Sequence, residues 1–317
     1  MSDKILPDDE KKEKFDLFFQ KRIEPLVITQ NKQKEKYLGR FWCFFWTMIF
    51  LVAVNTLIVL FNVILHHHPL NVTQLFLVMA AGVAIVVFPL YSYHKLPKTD
   101  IFSVFLSFFG AWKYKQNAPQ LSSELLPARK KFNMINNVSQ QYLGVKISIG
   151  DLIHHAHTCA WHFMRTEPKI IGTFISLTFS QVVEDKIMLF EKRGKYSRTK
   201  YPPLRVIGPY INIPAANFFN IFAVRQNAYE DVLCSRFFEA LLDLKETFKA
   251  KKIYVQIERN RMDIVMSDSR FYFNHYRIWS KKIHKNRFDA AYNQVEQVYE
   301  MAEDILAILQ RRNNRKL

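Results

Sequence analysis

The chain has 317 residues, a formal net charge of +17 and three cysteines. That length leaves room for a folded core beside any membrane segment. Cys43, Cys159 and Cys234 are odd in number and far apart, which suggests a reducing compartment and no disulfide framework.

The charge is unevenly spread. Residues 1–40 carry ten basic and eight acidic side chains and residues 41–93 carry none, which leaves +15 on residues 94–317. Residues 9–38 are predicted helical, with Phe15, Phe18, Phe19, Ile23 and Leu26 as a short apolar stripe broken at Pro25. Residues 41–65 and 72–93 are apolar on every face and, as helices, would be about 37 and 33 Å long, enough for a hydrocarbon layer of ~30 Å. The turn-forming HHHPLN between them predicts a transmembrane hairpin. Trp42, Trp46, Tyr91 and Tyr93 read as an aromatic belt at one face. Lys32, Lys34, Lys36 and Arg40 precede the first span and Lys95 and Lys98 follow the second, so both termini are expected in the cytoplasm. No cleavable signal fits the start of the chain.

Residues 101–112 (IFSVFLSFFGAW) are too short to span, which leaves burial, the favoured reading, or a seat in the membrane interface. Residues 94–142 are expected to be a helical linker region, with a short helix over 129–142. From residue 143 the pattern is strand-like: Val145, Ile147 and Ile149 alternate with polar residues, and 170–179 and 187–190 are short strands either side of a turn-like VVEDK. Tyr229, Val232, Leu233, Phe237, Leu241, Leu244 and Phe248 recur at helical spacing. Residues 253–257 and 262–266 read as a hairpin turning at RNR, and a long closing helix carries Phe288, Tyr292, Val295, Tyr299, Ala302, Ile305, Leu306 and Leu309.

Two stretches carry candidate chemistry. In GDLIHHAHTCAWHF, at 150–163, His155, His157 and Cys159 would share one face of a strand, but over about 13 Å, too far for a tetrahedral zinc to gather all three. Exposed strand histidines are the plainer reading, and a zinc-dependent hydrolase using those three residues is the alternative. In the loop EKRGKYSRTKYPP, Lys192, Arg193, Lys195, Arg198 and Lys200 surround Gly194 and could meet a phosphate or lipid headgroup, against the simpler reading of a solvated loop. No Walker loop, G-x-S-x-G elbow or kinase motif set occurs, and no carboxylate pair stands out as acid and base. The basic balance fits an anionic membrane surface. Nucleic acid is the lesser expectation, because no recognisable RNA- or DNA-reading motif accompanies the charge.

Taken together, QYLGVKISIG at 141–150, IIGTFISLTF at 170–179, the segment 218–248 and IYVQIERNRMDIVM at 253–266 resemble a bacterial membrane family known as domain of unknown function 3137. Tyr142, Gly144 and Gly150 fit its Tyr-x-Gly turn, Gly172 and Phe174 its Gly-x-Phe strand, and Phe218, Phe222 and Val224 its strand entering a helix. The resemblance implies two spans and a cytoplasmic α+β domain, and no activity. Where the family tends to place an acidic pair, this chain has Val145 and Lys146.

The expectation is therefore an α+β protein: an N-terminal helical segment (1–40), a transmembrane hairpin (41–93), a helical linker region (94–142) and a basic cytoplasmic domain (143–317) of antiparallel strands with flanking amphipathic helices. It sits in a bacterial inner membrane and acts as a binding or scaffold protein more readily than as an enzyme. Its partners would be the membrane, anionic lipid headgroups, another protein or a second copy.

Overall fold

The computed structural model describes residues 8–66, 72–95, 101–120, 132–154, 170–192, 205–206, 211–224, 232–271 and 282–316. The chain forms two compact units, residues 1–108 with 275–285 and residues 109–274 with 286–317. Helices and antiparallel strands make it an α+β protein with a long apolar helix near the N-terminus.

The first unit is helical. Helix α1 (Asp8–Phe18) passes through a π-turn (Phe19–Ile23) into α2 (Glu24–His66) without the expected break at Pro25. Proline has no N–H to give and its ring crowds the carbonyl four residues back; one widened turn just before it absorbs both faults. Phe15, Phe19, Ile23 and Val27 are buried along one side. They meet α4 (Ile101–Leu106), where Phe15 lies edge-on to Phe105 at 5.9 Å and to Phe108 at 5.3 Å. Ile101, Phe102, Phe105 and Leu106 are buried, so the start of 101–112 packs on the N-terminal helix. Residues 282–285 lie along the same helix. The Asn31 amide both donates to the Ile283 carbonyl and accepts from its N–H, each at 3.1 Å; Lys282 pairs with Glu35, and Lys285 with Asp16 at 2.9 Å.

Further along α2, Phe41, Phe45, Met48, Val52, Asn55 and Val59 are half-buried at alternating spacings of four and three, the seam by which one helix packs on another. The neighbour is α3 (Val72–Lys95), with Gly82 against Met48 and Val86 and Pro89 buried. Thr47 and Thr56 return their hydroxyls to the carbonyls of Cys43 and Val52, which removes two donors from an apolar surface. Away from the seam the side chains are bare: Phe50 is 66% exposed, Leu57 66% and Phe76 70%. Among the described residues one helical stretch, Asp9–Phe61, is long and apolar enough to cross a membrane, and Met79–Pro89 is a shorter apolar run.

The second unit is a seven-stranded antiparallel sheet in the order β1 (Lys113–Gln120), β2 (Phe132–Tyr142), β3 (Val145–His154), β4 (Ile170–Glu191), β6 (Phe219–Ala223) and β5 (Arg205–Val206), with β7 (Lys252–Ser267) also on β4. Three expectations are corrected here. The helix expected over 129–142 is strand β2 from Phe132 onward, and part of the expected linker is β1; pairing with β3 decides a stretch whose own preference is indefinite. The two short strands on either side of VVEDK are one 22-residue strand, β4. The hairpin at RNR is one 16-residue strand, β7, running antiparallel to β4. The presumed turns are bends. The β4–β7 register slips between Thr178 and Val183 and again between Val183 and Ile187, where Arg259 takes a φ of +55°.

A tight turn joins β2 to β3 through Leu143 and Gly144, both with positive φ (47° and 82°), the signature of a type I′ hairpin turn. One face of the sheet packs against α5 (Ser235–Thr247) and α6 (Lys285–Lys316). Ile147, Ile149, Ile175, Leu177, Val255 and Ile264 are buried from the strands, and Phe237, Leu241, Leu244, Val295, Ala302 and Ile305 from the predicted helical stripes. Arg236 of α5 holds Asp304 of α6 at 2.7 Å. The wholly buried Asp151 accepts the N–H of Phe271 at 2.9 Å.

Candidate functional site

On its opposite face the sheet folds over on itself. Phe174 and Phe190 belong to one buried cluster with Met134, Leu152, Met188, Tyr254 and Val265. A straight strand would hold Phe174 and Phe190 roughly 50 Å apart at ~3.3 Å per residue, so the bulges in β4 and β7 must bring the two ends round. Bulges of this kind re-aim side chains, and the side chains re-aimed here are charged.

In β4 and β7, paired residues share a face, so Ser176 stands beside Asp263 and Thr178 beside Arg261. The Arg261 Nε donates to Asp263 Oδ1 at 2.7 Å and to Ser176 Oγ at 3.1 Å. On the far side of the bend Gln256 Nε2 donates to Glu258 Oε2 at 2.8 Å, and Lys186 Nζ lies 3.5 Å from the same oxygen. Gln256 is buried, and its Oε1 has no hydrogen-bond partner among the described residues. Burial pushes the Asp263 carboxyl above its ordinary value of 3.8, and the charge on Glu258 adds to this; Arg261 and the Ser176 hydroxyl pull the other way.

The arrangement offers charge and hydrogen-bonding groups at the bend of β4 and β7. Lys186 with Glu258 and Arg261 with Asp263 make two ion pairs there. Ser176 Oγ accepts a hydrogen bond from Arg261 Nε and stands against the Asp263 carboxyl. The other well-connected polar group, Tyr299 on α6, is a structural lock. It stacks on Tyr142 at 4.2 Å, accepts from Trp112 Nε1 at 3.1 Å and shares its hydroxyl with Gln140 and the Phe109 carbonyl. Burial pushes its ionisation far above the ordinary tyrosine range, so it stays protonated.

Lys192 is exposed at the end of β4, its N–H donated to Phe218 O at 3.0 Å. Arg193, Lys195, Arg198 and Lys200 fall outside the described residues, as do His155, His157 and Cys159. His154 closes β3 opposite Phe132. Among the described residues no group of three or more His, Cys, Asp or Glu could hold a metal ion. Sequence reasoning missed Lys186, Gln256, Glu258 and Arg261. The available signal is a run of charged residues inside a β-branched pattern, VVEDK in β4 and RNR in β7, whose composition is that of a turn.

With this geometry in place, comparison with known proteins adds a family. Residues 171–306 match the model described as "Protein of unknown function (DUF3137)", so over β4 to most of α6 the chain resembles that family. Gly172, Phe174, Phe218, Phe222 and Val224 lie within the match; Tyr142 and Gly144 lie before it. No curated protein matches. The crystal structure of the mycobacterial trehalose monomycolate transport factor A aligns with 63% of this chain and 92% of its own, at 13% identity and a TM-score of 0.37. A likeness so distant says nothing of function.

Proposed function

We propose that this chain is a membrane-anchored binding protein of the bacterial inner membrane. Helices α2 and α3 cross the bilayer as a hairpin, both ends of the chain lie in the cytoplasm, and the basic α+β domain holds a protein partner or acidic lipid at the inner leaflet. The observation that carries the reading is the bare apolar surface of α2, from Trp46 at 63% exposed to Ile64 at 69%. Left in water, a surface of that extent would drive association; in hydrocarbon it costs nothing, and the helical backbone satisfies its own polar groups. The seam between α2 and α3 supports two spans, because it leaves the outward faces of both helices apolar. The domain is read as a binder because its polar cluster presents charge and hydrogen-bonding groups from Lys186, Glu258, Arg261 and Asp263.

The test is a fractionation and labelling experiment on the full chain. Alkaline carbonate should leave the protein in the membrane pellet. In a background without Cys43, Cys159 and Cys234, Leu70→Cys should react with an impermeant maleimide in intact cells, and Ser2→Cys only after lysis. Release by carbonate would end the membrane anchor, and protection of Leu70→Cys would end the hairpin.

A further inference from the structure

Helix α2 runs through the predicted membrane boundary without a break, so the residues just before Phe41 are held at fixed depth and direction. Lys32, Lys36 and Arg40 are exposed, four residues apart, and lie within about 80° of one another round the helix. The buried Gln30 and Lys34 point roughly the other way, toward the side that packs within the unit. Lys32 and Lys36 have no acidic partner among the described residues, and the nearby Glu35 is engaged by Lys282. Arg40 lies over the Tyr37 ring at 5.6 Å, which steadies a guanidinium capable of bidentate bonds to a phosphate. Further along the helix Trp42 (45% exposed) and Trp46 are exposed as well, Trp46 about 80° and Trp42 about 120° round from Lys36.

We infer that Lys32, Lys36 and Arg40 form a binding stripe for anionic phospholipid headgroups, selecting charged over zwitterionic lipid beside α2. The inference rests on the membrane reading above and gives it a ligand. Depth sets the ranking within the stripe. If the hydrocarbon begins at Phe41, then at ~1.5 Å per residue Arg40 and Lys36 lie about 2 and 8 Å outside it, within a headgroup layer some 5–8 Å thick. Lys32, about 14 Å out, acts only through the screened surface potential. Acidic lipid therefore meets two direct contacts and one distant one.

The test uses the full chain in phosphatidylcholine vesicles, with tryptophan fluorescence quenched by brominated phosphatidylglycerol or brominated phosphatidylcholine. A W42F/W46F variant identifies the share of the signal that comes from the stripe. The expected result is a preference of about fivefold for the acidic lipid at low salt, equivalent to ~1 kcal/mol. It should fall toward one in high salt and in the K32Q/K36Q/R40Q variant, with Lys32→Gln having the least effect of the three singly. Equal quenching by both lipids overturns the stripe and leaves the hairpin standing. A preference undiminished in the triple variant also overturns it. Quenching by neither lipid, in protein that does not float with the vesicles, overturns stripe and membrane reading together.

Discussion

The helical unit and the sheet unit both depend on a glycine at a close approach, but the two glycines face different neighbours. At Gly82 an added Cβ would come 2.6 Å from Met48 Cγ, an atom in a side chain with three rotatable bonds. At Gly172 it would fall on the Met266 carbonyl oxygen, with the Met266 carbonyl carbon at 3.1 Å and Ser267 Cα at 3.3 Å. The first contact is side chain on helix and can be relieved by a rotamer change. The second is strand backbone on strand backbone, fixed by the pairing of β4 with β7, and relief would require parting the ladder. The difference teaches where each unit tolerates change: the helix pair is adjustable at its seam, and the sheet is rigid at the strand pair that carries the charged cluster.

The largest expected effect follows directly. Gly172→Ala should cost about 3 kcal/mol or more, the upper end for overpacking, because no side chain can move aside. Hydrogen exchange of the β4 and β7 amides in the full chain would show it as lost protection. Wild-type protection in that variant would break the contrast. A gain of about 1 kcal/mol is expected next from Leu143→Asn. Leu143 has φ +47° at the β2–β3 turn and is 63% exposed, so it bears the left-handed penalty with little packing in return, and asparagine tolerates that region far better. A higher denaturation midpoint in the sheet domain with an unchanged slope would be the sign.

A smaller, pH-dependent effect belongs to Asp263. Its folded-state pKa is raised, chiefly by burial, so the native protein holds this proton more tightly than the unfolded chain does. That contribution to stability is fully present below the ordinary value of 3.8 and is lost as pH rises through the folded value. Asp263→Asn cannot titrate. Its stability relative to the wild type should therefore rise as pH climbs above 3.8, measured as the difference between the two proteins' unfolding free energies at several pH values. A difference that stays flat would mean that Arg261 and Ser176 fully offset the burial.

How much of this was legible in the sequence depends on how local the controlling interaction is. The stripes of α5 and α6, from Phe237 to Leu244 and from Phe288 to Leu309, are periodic because one face is buried and the other is wet. The alternation of Val145, Ile147 and Ile149 shows β3 for the same reason. The α2–α3 seam leaves no such trace. Phe45, Met48 and Val52 are apolar, but so are Trp46, Ile49 and Phe50 on the outer faces, so periodicity has nothing to contrast. RNR and VVEDK have turn composition, and their role as bends in long strands is settled by the partner strand. The cluster of Lys186, Gln256, Glu258, Arg261 and Asp263 was illegible for that reason too: its membership is fixed by register across two bulges, and no local spacing encodes register.

The smallest predicted effect sharpens the comparison most, because it uses the same substitution in the other unit. Gly82→Ala should change the stability of the helix pair by no more than about 0.5 kcal/mol. Alanine favours a helix over glycine by ~1 kcal/mol, and against that stands the cost of turning Met48 away from its present rotamer, of order 0.5–1.5 kcal/mol. The two nearly cancel, as they could not at Gly172, where no rotamer exists to turn. Shortening the neighbour should tip the balance: in a Met48→Ala background the space is already clear, so Gly82→Ala should become a net gain. A double-mutant cycle read by thermal unfolding in detergent isolates that coupling. Additivity of the two substitutions would show that Met48 is not what Gly82 makes room for.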